Sequence, residues 1–542
     1  MFDENFTKRS LVIGGLLSML VAMSAVYLAL RQNAFYWASV LTSLVSIGVL
    51  RLLSRVPKRA SVHEINITQA AASTGGILAA GLCFVVPALY FMDKSRFQAF
   101  ISDTTGFILT ITTLSLVGGI CGVIFSAYLR RHMIEEEKLA FPTGIAAADT
   151  IKATEKGGKQ MRNLMLTFFG VALFTVLRDG IQFGKVSLKS IIPYFQDFTR
   201  PPFTIQWGYV PAFIGAGYLM GWRVVFTWGL GALFSNFLYV PALYYLLKIP
   251  FEAKQPYVLS MGVGIVVGGA LTLFVTKIGP SIVKTIRAAV TLREGKKELN
   301  PRWVPIVGVL SALFVSAYFH ISLVASVLMV VGAWLMSSLA ARMSGEVNVD
   351  PMEIFAVIVL IAIRIFVPLS TQELIYLGTI ICVAVGVAGD TLFDLKAGHI
   401  LGTTPIDITK AQLVGAISAS FITGISMLAL FKSFTLGTPE LFALQAQSVA
   451  YMLGAINWTI FGAGIVIGIG LTFFKQSGIA FGVGVFIPLF LTVPFIVGGI
   501  WSFLKRKRGD DETERIISAG AIGGEGFVGA ILAIIREWGH IL

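Results

Sequence analysis

The stretch "LVIGGLLSMLVAMSAVYLAL" at residues 11–30 decides the fold class. It is a continuous apolar run of about 20 residues, the length that an α-helix needs to cross a lipid bilayer. A transmembrane β-barrel would instead show segments of about ten residues in which apolar and polar side chains alternate. Further runs of the same kind follow, so the sequence predicts an all-α polytopic membrane protein.

The composition agrees with this class. Of the 542 residues, 56% are hydrophobic and only 13% are charged. Counting the apolar runs along the chain predicts about 16 transmembrane helices. The stretch 512–539 is bracketed by charges and is either a seventeenth span or, as we prefer, a helix packed at the cytoplasmic surface. No P-loop string occurs, so we expect no nucleotide-binding domain.

Basic residues cluster in four short segments between the apolar runs. These segments are "RLLSRVPKR", "YLRRHM", "IRAAVTLREGKKELNPR" and "FLKRKR". Loops rich in Lys and Arg favour the cytoplasmic side, and 16 spans that start from a cytoplasmic N-terminus return all four segments to that side. Basic loops on the cytoplasmic side therefore account for the net charge of +13, and no nucleic acid is needed as a partner. We expect a multi-pass protein of the cell inner (plasma) membrane, with its N-terminus in the cytoplasm and the lipid bilayer as its partner.

Two pairs of similar strings recur in the same order along the chain. "HEINIT" at 63–68 resembles "GEVNVD" at 345–350, and each follows two predicted spans. Two spans later the chain turns through "FPTG" at 141–144 and through "GTTP" at 402–405. The shared order indicates an internal duplication.

An even number of spans in each repeat makes the two repeats parallel. Such repeats are related by a pseudo-two-fold axis along the membrane normal. We therefore expect an N-terminal transmembrane half at 1–290, with eight helices and a basic cytoplasmic connector. The C-terminal half at 291–542 has eight helices and the C-terminal helix.

Two arginines lie in or between predicted spans, where a charge is costly. Arg364 follows eleven residues after Glu353 within an apolar run. It is either a fixed charge that holds a substrate carboxylate in a cavity or the structural partner of an acid on a neighbouring helix. Arg223 lies in a hairpin, where an anchor at the cytoplasmic surface and a residue that lines a cavity are both consistent with the sequence.

The start of the third span is polar. Glu64, Asn66, Gln69 and Ser73 lead into it, and Gln69 and Ser73 share a helix face because they are four residues apart. Such a face can donate hydrogen bonds to a polar solute, and it can equally join neighbouring helices. The sequence favours a role in lining a polar pathway.

The stretch "AGDTLFDLKAGHILGTTP" at 388–405 concentrates ionisable groups after an apolar run. Asp390 and Asp394 share one face if the helix continues, and Lys396 and His399 follow. A metal site lacks a second nearby His or Cys, which leaves a proton or substrate coupling site and a solvated cytoplasmic turn as the open alternatives.

Catalysis and cofactors find no support in the sequence. The string "VAGD" has Val387 where intramembrane aspartyl proteases need glycine, and no serine protease signature accompanies a membrane histidine. The three cysteines lie inside apolar runs, which is typical of packed thiols. We expect neither an enzyme nor a bound metal or cofactor.

Several strings together resemble the oligopeptide transporter (OPT) family. They are "EINITQAAASTGG", "EEKLAFPTGIAAADTIKA", "AGYLMGWR", "ARMSGEVNVDPMEI", "AGDTLFDLKAGHILGTTP" and "GVGVFIPLFLTVPFIVGGI", in family order from about residue 63 to 500. The family also includes the yellow-stripe-like carriers of metal chelates. The family motifs fall on Glu64, Asn66, Gln69, Phe141, Pro142, Thr143, Gly144, Asp390, Asp394, Lys396, Gly398, His399 and Gly402.

The resemblance implies about sixteen helices and secondary active uptake driven by protons. Its substrates are small peptides or peptide-like metal chelates, and the "NPGPF" string of the eukaryotic peptide-carrying branch is missing here. We expect a proton-coupled symporter that works by alternating access, with Asp390 or Asp394 as proton site and Arg364 as carboxylate site. The alternatives are a metal-chelate carrier and a channel or membrane scaffold, and a homodimer is compatible with all of these.

Overall fold

The computed structural model describes most of the chain. The described residues are 7–32, 38–53, 60–156, 158–183, 186–188, 191–273, 275–276, 298–348, 350–438, 441–454, 457–474, 477–506 and 512–539. The boundary predicted between the halves, at residues 290 and 291, lies outside these residues, as do most of the basic connector and parts of two other basic segments.

Helices make up nearly all of the described structure. They are α1 (Lys8–Gln32), α2 (Ala38–Leu53), α3 (Val62–Val85), α4 (Ala88–Met92), α5 (Lys94–Ser102), α6 (Thr104–Ala127), α7 (Pro142–Lys156), α8 (Gly158–Asp179), α9 (Pro211–Met220), α10 (Trp222–Leu233), α11 (Val240–Tyr245), α12 (Gln255–Leu273), α13 (Trp303–Phe319), α14 (Leu323–Val347), α15 (Met352–Phe366), α16 (Thr371–Leu401), α17 (Pro405–Ser433), α18 (Leu444–Gly454), α19 (Trp458–Phe473), α20 (Gly478–Phe486), α21 (Leu489–Arg506) and α22 (Glu512–Gly539). Strands β1 (Ile181–Phe183) and β2 (Val186–Leu188) form one antiparallel pair, and β3 (Phe195–Asp197) and β4 (Gln206–Gly208) form another.

Apolar composition along whole helices makes this a membrane fold. Within the described ranges, nine helical segments are long and apolar enough to cross a bilayer, and ten if α18 and α19, which meet at 110°, form one broken span. In lipid a helix satisfies its own backbone hydrogen bonds, which is why such runs adopt it. The predicted class, a helical polytopic membrane protein, is confirmed, while the number of sixteen spans stays a prediction.

The helices pack into two bundles, and each predicted half contributes to both. The first bundle contains α1, α3, α6, α14, α15, α16 and α17, and the second contains α8, α9, α10, α12, α19, α20, α21 and α22. Helix α22 also contacts α1, α2 and α7, so it connects the second bundle to the first.

Helix α16 lies at the centre of the first bundle. It packs against α3, α6, α14, α15 and α7, and nearly every residue from Leu374 to Gly398 is buried. A helix that is apolar around its whole circumference is one that neighbours surround on all sides. A capping box begins it, because Ser370 and Glu373 bond to each other's backbone amides.

A buried ion pair connects α22 to α8. The side chain of Arg178 is completely buried, and its Nη1 donates to Oε1 of Glu525 over 2.5 Å. Arg178 also donates to the Asp179 carboxylate and to the Tyr209 carbonyl, and Oε2 of Glu525 accepts from the Ala212 amide at the start of α9. Both charges are therefore paired and hydrogen-bonded, as buried ions require.

Candidate functional site

Asp394 is the centre of a buried polar cluster. It lies on α16, its exposed fraction is 0%, and its carboxylate accepts three hydrogen bonds. Gln69 Nε2 donates to Oδ1 over 2.6 Å, while Ser73 Oγ and Gln412 Nε2 donate to Oδ2 over 2.6 and 3.0 Å. All three donors are neutral, so none of these three contacts is a salt bridge.

Helix α3 supplies two of these donors from one face. Gln69 and Ser73 are one turn apart, as their spacing predicted, and Asn66 extends the face because its Nδ2 donates to Gln69 Oε1 over 3.3 Å. Asn66 Oδ1 and Gln412 Oε1 are both buried and have no hydrogen-bond partner among the described residues. The cluster thus contains two acceptor oxygens that receive no hydrogen bond from its own donors.

Glu64 belongs to a different contact. Its carboxylate accepts from Arg9 over 2.6 and 2.8 Å and from Thr7 Oγ1 over 2.7 Å, at the start of α1. The Ser61 hydroxyl caps α3 by accepting from the Glu64 amide. Of the four polar residues predicted on α3, Asn66, Gln69 and Ser73 therefore reach the Asp394 cluster, and Glu64 joins α3 to α1.

Asp390 lies one turn before Asp394 and is almost completely buried. Its Oδ1 accepts from the Ser39 hydroxyl over 3.0 Å, which brings α2 to the site. Its Oδ2 is buried and has no partner in the described part of the chain. Because α16 continues unbroken to Leu401, both aspartates lie inside the bundle rather than in an exposed turn.

Lys396 and His399 contact other groups than the two aspartates. Lys396 Nζ donates to the Leu139 carbonyl over 2.9 Å. His399 Nδ1 lies 3.3 Å from Nη2 of Arg130, whose guanidinium also pairs with Glu135 and Glu298. These two predicted residues therefore line a different side of α16 from the Asp394 cluster.

The corner at 141–144 is attached to the string at 345–350. Asn348 Oδ1 accepts from both the backbone amide and the hydroxyl of Thr143, over 3.1 and 2.9 Å. Phe141 is completely buried against Phe393, Pro142 begins α7, and a Cβ on Gly144 would overlap the Phe393 carbonyl. A corner of the first predicted half is thus hydrogen-bonded to a residue of the second.

The corner at 402–405 is attached to the string at 63–68 in the converse way. His63 Nδ1 lies 3.1 Å from the Thr403 hydroxyl. Gly402 ends α16 with a φ of +75°, a left-handed conformation that favours glycine, and the Thr403 amide bonds to the Gly398 carbonyl. A Cβ on Gly398 would also press against Ile408 and Asn66.

Arg364 lies apart from the Asp394 cluster. Its side chain is exposed at the C-terminal end of α15, where Nη1 donates to the Leu453 carbonyl over 3.2 Å. Glu353, near the other end of α15, is eleven residues away, about 16 Å along a helix. The described structure does not bring Arg364 together with Asp390 or Asp394.

Arg223 lines an open cavity of about 830 Å³. The corner before α7, the turn between α9 and α10, and the ends of α14, α21 and α22 form its walls, with Pro142, Trp222, Glu346, Ser502, Phe503 and Arg515 among the lining residues. Arg515 also pairs with Asp149 over 2.8 Å. Burial raises the pKa of the Asp149 carboxyl, and its bond to Arg515 opposes that effect.

Sequence reasoning missed two polar contributors to the site, Ser39 and Gln412. Gln412 is a polar residue inside an apolar run, the kind of signal that marks functional positions in membrane helices. Among the described residues, no three His, Cys, Asp or Glu side chains converge as a metal site would require.

The comparisons with known proteins agree on one family. A family model described as "OPT oligopeptide transporter protein" matches residues 5–536. A Haemophilus influenzae protein provisionally named an oligopeptide transporter is 24% identical, with 94% of this chain and 92% of the relative covered. A Saccharomyces cerevisiae protein with the same provisional name is 26% identical over 42% of this chain and 35% of its own length.

Proposed function

The chain belongs to the oligopeptide transporter family, and from this premise we propose that it is a secondary active transporter that couples protons to the uptake of small peptides or peptide-like solutes. Members of this family are transporters, so the expectation that the chain is not an enzyme is confirmed. We further propose the cell inner membrane as its location, with the N-terminus in the cytoplasm, because this orientation places the basic segments on the cytoplasmic side.

The environment of Asp394 carries the proposal. A carboxylate inside a membrane span is costly to bury, so such residues are rare. Those that occur mark ion and substrate pathways. The three groups that hold Asp394 are neutral amides and a hydroxyl, so the side chain is free to change its charge without breaking an ion pair with them. We therefore assign proton binding to Asp394.

Gln412 supplies a means of sensing that proton. In the structure its Nε2 donates to Asp394, while its Oε1 has no partner among the described residues. Once Asp394 is protonated, its hydroxyl becomes a donor, and rotation of the Gln412 amide presents Oε1 as the acceptor. The two charge states of Asp394 thus favour two different arrangements of the same side chains.

The proton site joins helices from both predicted halves. Asp394 lies on α16 and Gln412 on α17, whereas Gln69 and Ser73 lie on α3. Protonation therefore changes the contacts between α3 and the pair α16–α17. A ligand that binds one arrangement better than the other shifts the equilibrium between them, which is how a bound proton would drive alternating access.

The cavity at Arg223 is the proposed entrance for the substrate. Its volume of about 830 Å³ lies within the usual range of small-molecule sites, about 300–1,000 Å³. The Arg223 guanidinium matches a peptide carboxylate, and Trp222 and Phe503 offer aromatic surface to side chains. The names of the two relatives support peptides as the substrate class.

The proposal is tested by uptake into proteoliposomes. Purified protein is reconstituted, an inward proton gradient is imposed, and the entry of a labelled mixture of dipeptides and tripeptides is measured. Wild-type protein is expected to accumulate peptide several-fold above the level without a gradient. Asp394→Asn keeps hydrogen-bonding capacity but cannot carry a proton, so its accumulation should no longer respond to the gradient.

Asp93→Asn is the matched control for this experiment. Asp93 caps α5, a role that Asn fills equally well, so this variant should behave as wild type. Uptake that ignores the gradient in wild-type protein would contradict proton coupling. Uptake of a labelled transition metal only with added chelator would favour the metal-chelate carrier, and an ohmic conductance would favour a channel.

A further inference from the structure

A β-hairpin outside the proposed transport site presents two different faces. It spans residues 195–208 and contains β3 and β4, which pair antiparallel with Gln196 opposite Trp207. The same register continues towards the turn, where Arg200 and Phe203 form a bridge. Because successive side chains point to opposite sides of a strand, one face of the hairpin carries residues 196, 198, 200, 203, 205 and 207.

This face exposes the large apolar side chains of the hairpin. Along the returning arm, Thr204 is buried, whereas Phe203, Ile205 and Trp207 are exposed. Phe198 on the other arm is exposed as well, and each of the four apolar side chains has an exposed fraction between 39% and 57%. Antiparallel strands that face water show the opposite pattern, with apolar side chains inside. Apolar side chains outside and polar ones inside are typical of strands that face lipid.

The other face of the hairpin packs against the protein. Phe195 stacks on Phe490 at the start of α21, with ring centroids 4.7 Å apart. Thr204 Oγ1 accepts a hydrogen bond from Lys254 Nζ over 3.2 Å. These contacts fix the orientation of the hairpin and leave its apolar face turned outwards.

The apolar face is continuous with the surface of a membrane-spanning segment. Phe203 stacks on Phe237, with ring centroids 6.2 Å apart. Phe237 lies inside the segment Trp222–Tyr245, which is long and apolar enough to cross a bilayer. Leu233 and Leu238 of that segment are each more than half exposed, as lipid-facing side chains are. The hairpin therefore lies beside the segment rather than beyond its end, so the lipid around the segment also reaches the hairpin.

We propose that the hairpin 195–208 is a lipid anchor, whose four exposed apolar side chains insert into the interfacial region of the bilayer. Trp207 suits this depth, because an indole ring combines a large apolar surface with a polar N–H group. Arg200 is exposed at the turn, where its guanidinium can bind a lipid phosphate while its methylene groups stay among apolar side chains. The open strand edges limit the insertion to the interface, since backbone groups without partners need water or headgroups.

Spin labels on the full-length protein in phospholipid vesicles test this contact. A nitroxide is attached to Ile205→Cys or Trp207→Cys on the apolar face, or to Asp197→Cys on the other face. The three native cysteines are buried, and wild-type protein treated in the same way measures their background labelling. Oxygen concentrates in lipid and a nickel chelate stays in water, so the ratio of their collision rates with the nitroxide reports which of the two surrounds it. This ratio is expected to be several-fold higher at residues 205 and 207 than at residue 197.

Asp197→Cys is the matched control, because residue 197 is exposed on the same hairpin but points to the opposite face. Equal ratios at all three positions would overturn the proposal. Low collision rates with both reagents at residues 205 and 207 would also overturn it, and dipolar broadening between labels would then identify a second copy of the chain on this face. The two positions are labelled separately, so either variant decides the question if the other fails to fold. The result does not depend on transport, and a failure of proton coupling would leave it unchanged.

Discussion

Single polar residues decide where this apolar chain can hold charge. Asp394 is held by neutral donors, whereas Arg178 and Glu525 hold each other. The first arrangement leaves a carboxylate that can gain a proton without losing an ion pair. The second fixes both charges, because each is held by several charge-assisted hydrogen bonds.

The ion pair gives a prediction for stability. Glu525→Ala should lower the free energy of unfolding by about 1.5–3 kcal/mol, because buried Arg178 would keep only the Asp179 carboxylate as its counter-ion and the Ala212 amide would lose its acceptor. Glu514→Ala, on the same helix, removes the ion pair between Glu514 Oε1 and Lys505 Nζ, which are 3.1 Å apart. The Lys505 side chain is 43% exposed. That variant should lose at most about 1 kcal/mol.

Thermal unfolding of both variants in the same detergent measures this difference. Arg178→Met should lose more stability than Glu525→Ala, because it removes the guanidinium that pairs with both Glu525 and Asp179. Equal unfolding temperatures for Glu525→Ala and Glu514→Ala would mean that the buried pair does not hold α22 against α8.

At the scale of elements, glycine sets how closely helices approach. Helices α12 and α19 carry Gly264, Gly268, Gly464 and Gly468 at a spacing of four, and a Cβ on Gly268 or Gly468 would overlap a backbone carbonyl of the other helix. Small residues allow such contact where lipid provides no hydrophobic drive for association. The backbones of α12 and α19 are therefore in direct contact along this stripe of glycines.

Gly468→Ala should therefore weaken the contact between α12 and α19. The added methyl group meets the Ile265 carbonyl, which cannot move aside as a flexible side chain can. Gly470→Ala, two residues on, meets nothing within 4 Å and gains helix propensity of about 1 kcal/mol, so it should be neutral or stabilising. Unfolding temperatures that fall equally in both variants would contradict the close approach.

Some of the site was predictable from the sequence and some was not. The spacing of Gln69 and Ser73, and that of Asp390 and Asp394, predicted shared helix faces that the structure brings together at the bundle centre. Ser39 and Gln412 were missed because their relation to α16 depends on tertiary packing. Helices that are apolar all round do not reveal which side faces a partner, so the sequence could not tell that the exposed Arg364 side chain lies apart from the Asp394 cluster.

At the scale of the whole molecule, the two bundles each draw on both predicted halves. The corner at 141–144 bonds to Asn348 and the corner at 402–405 approaches His63, so each half is attached to the other near a turn. The order of the repeated strings predicted that the corners correspond. It did not predict that they exchange partners, because a contact between residues more than 200 positions apart is not visible in one sequence.

The Asp394 cluster lies where α3 of one predicted half meets α16 and α17 of the other, and this is where we assign proton coupling. The most direct test is proton entry driven by substrate. A pH-sensitive dye inside proteoliposomes reports acidification when a peptide that the uptake assay accepts is added outside, with no imposed gradient. Acidification is expected with wild-type protein and with Asp93→Asn, and none with Asp394→Asn. Peptide entry without acidification in wild-type protein would contradict proton coupling at Asp394.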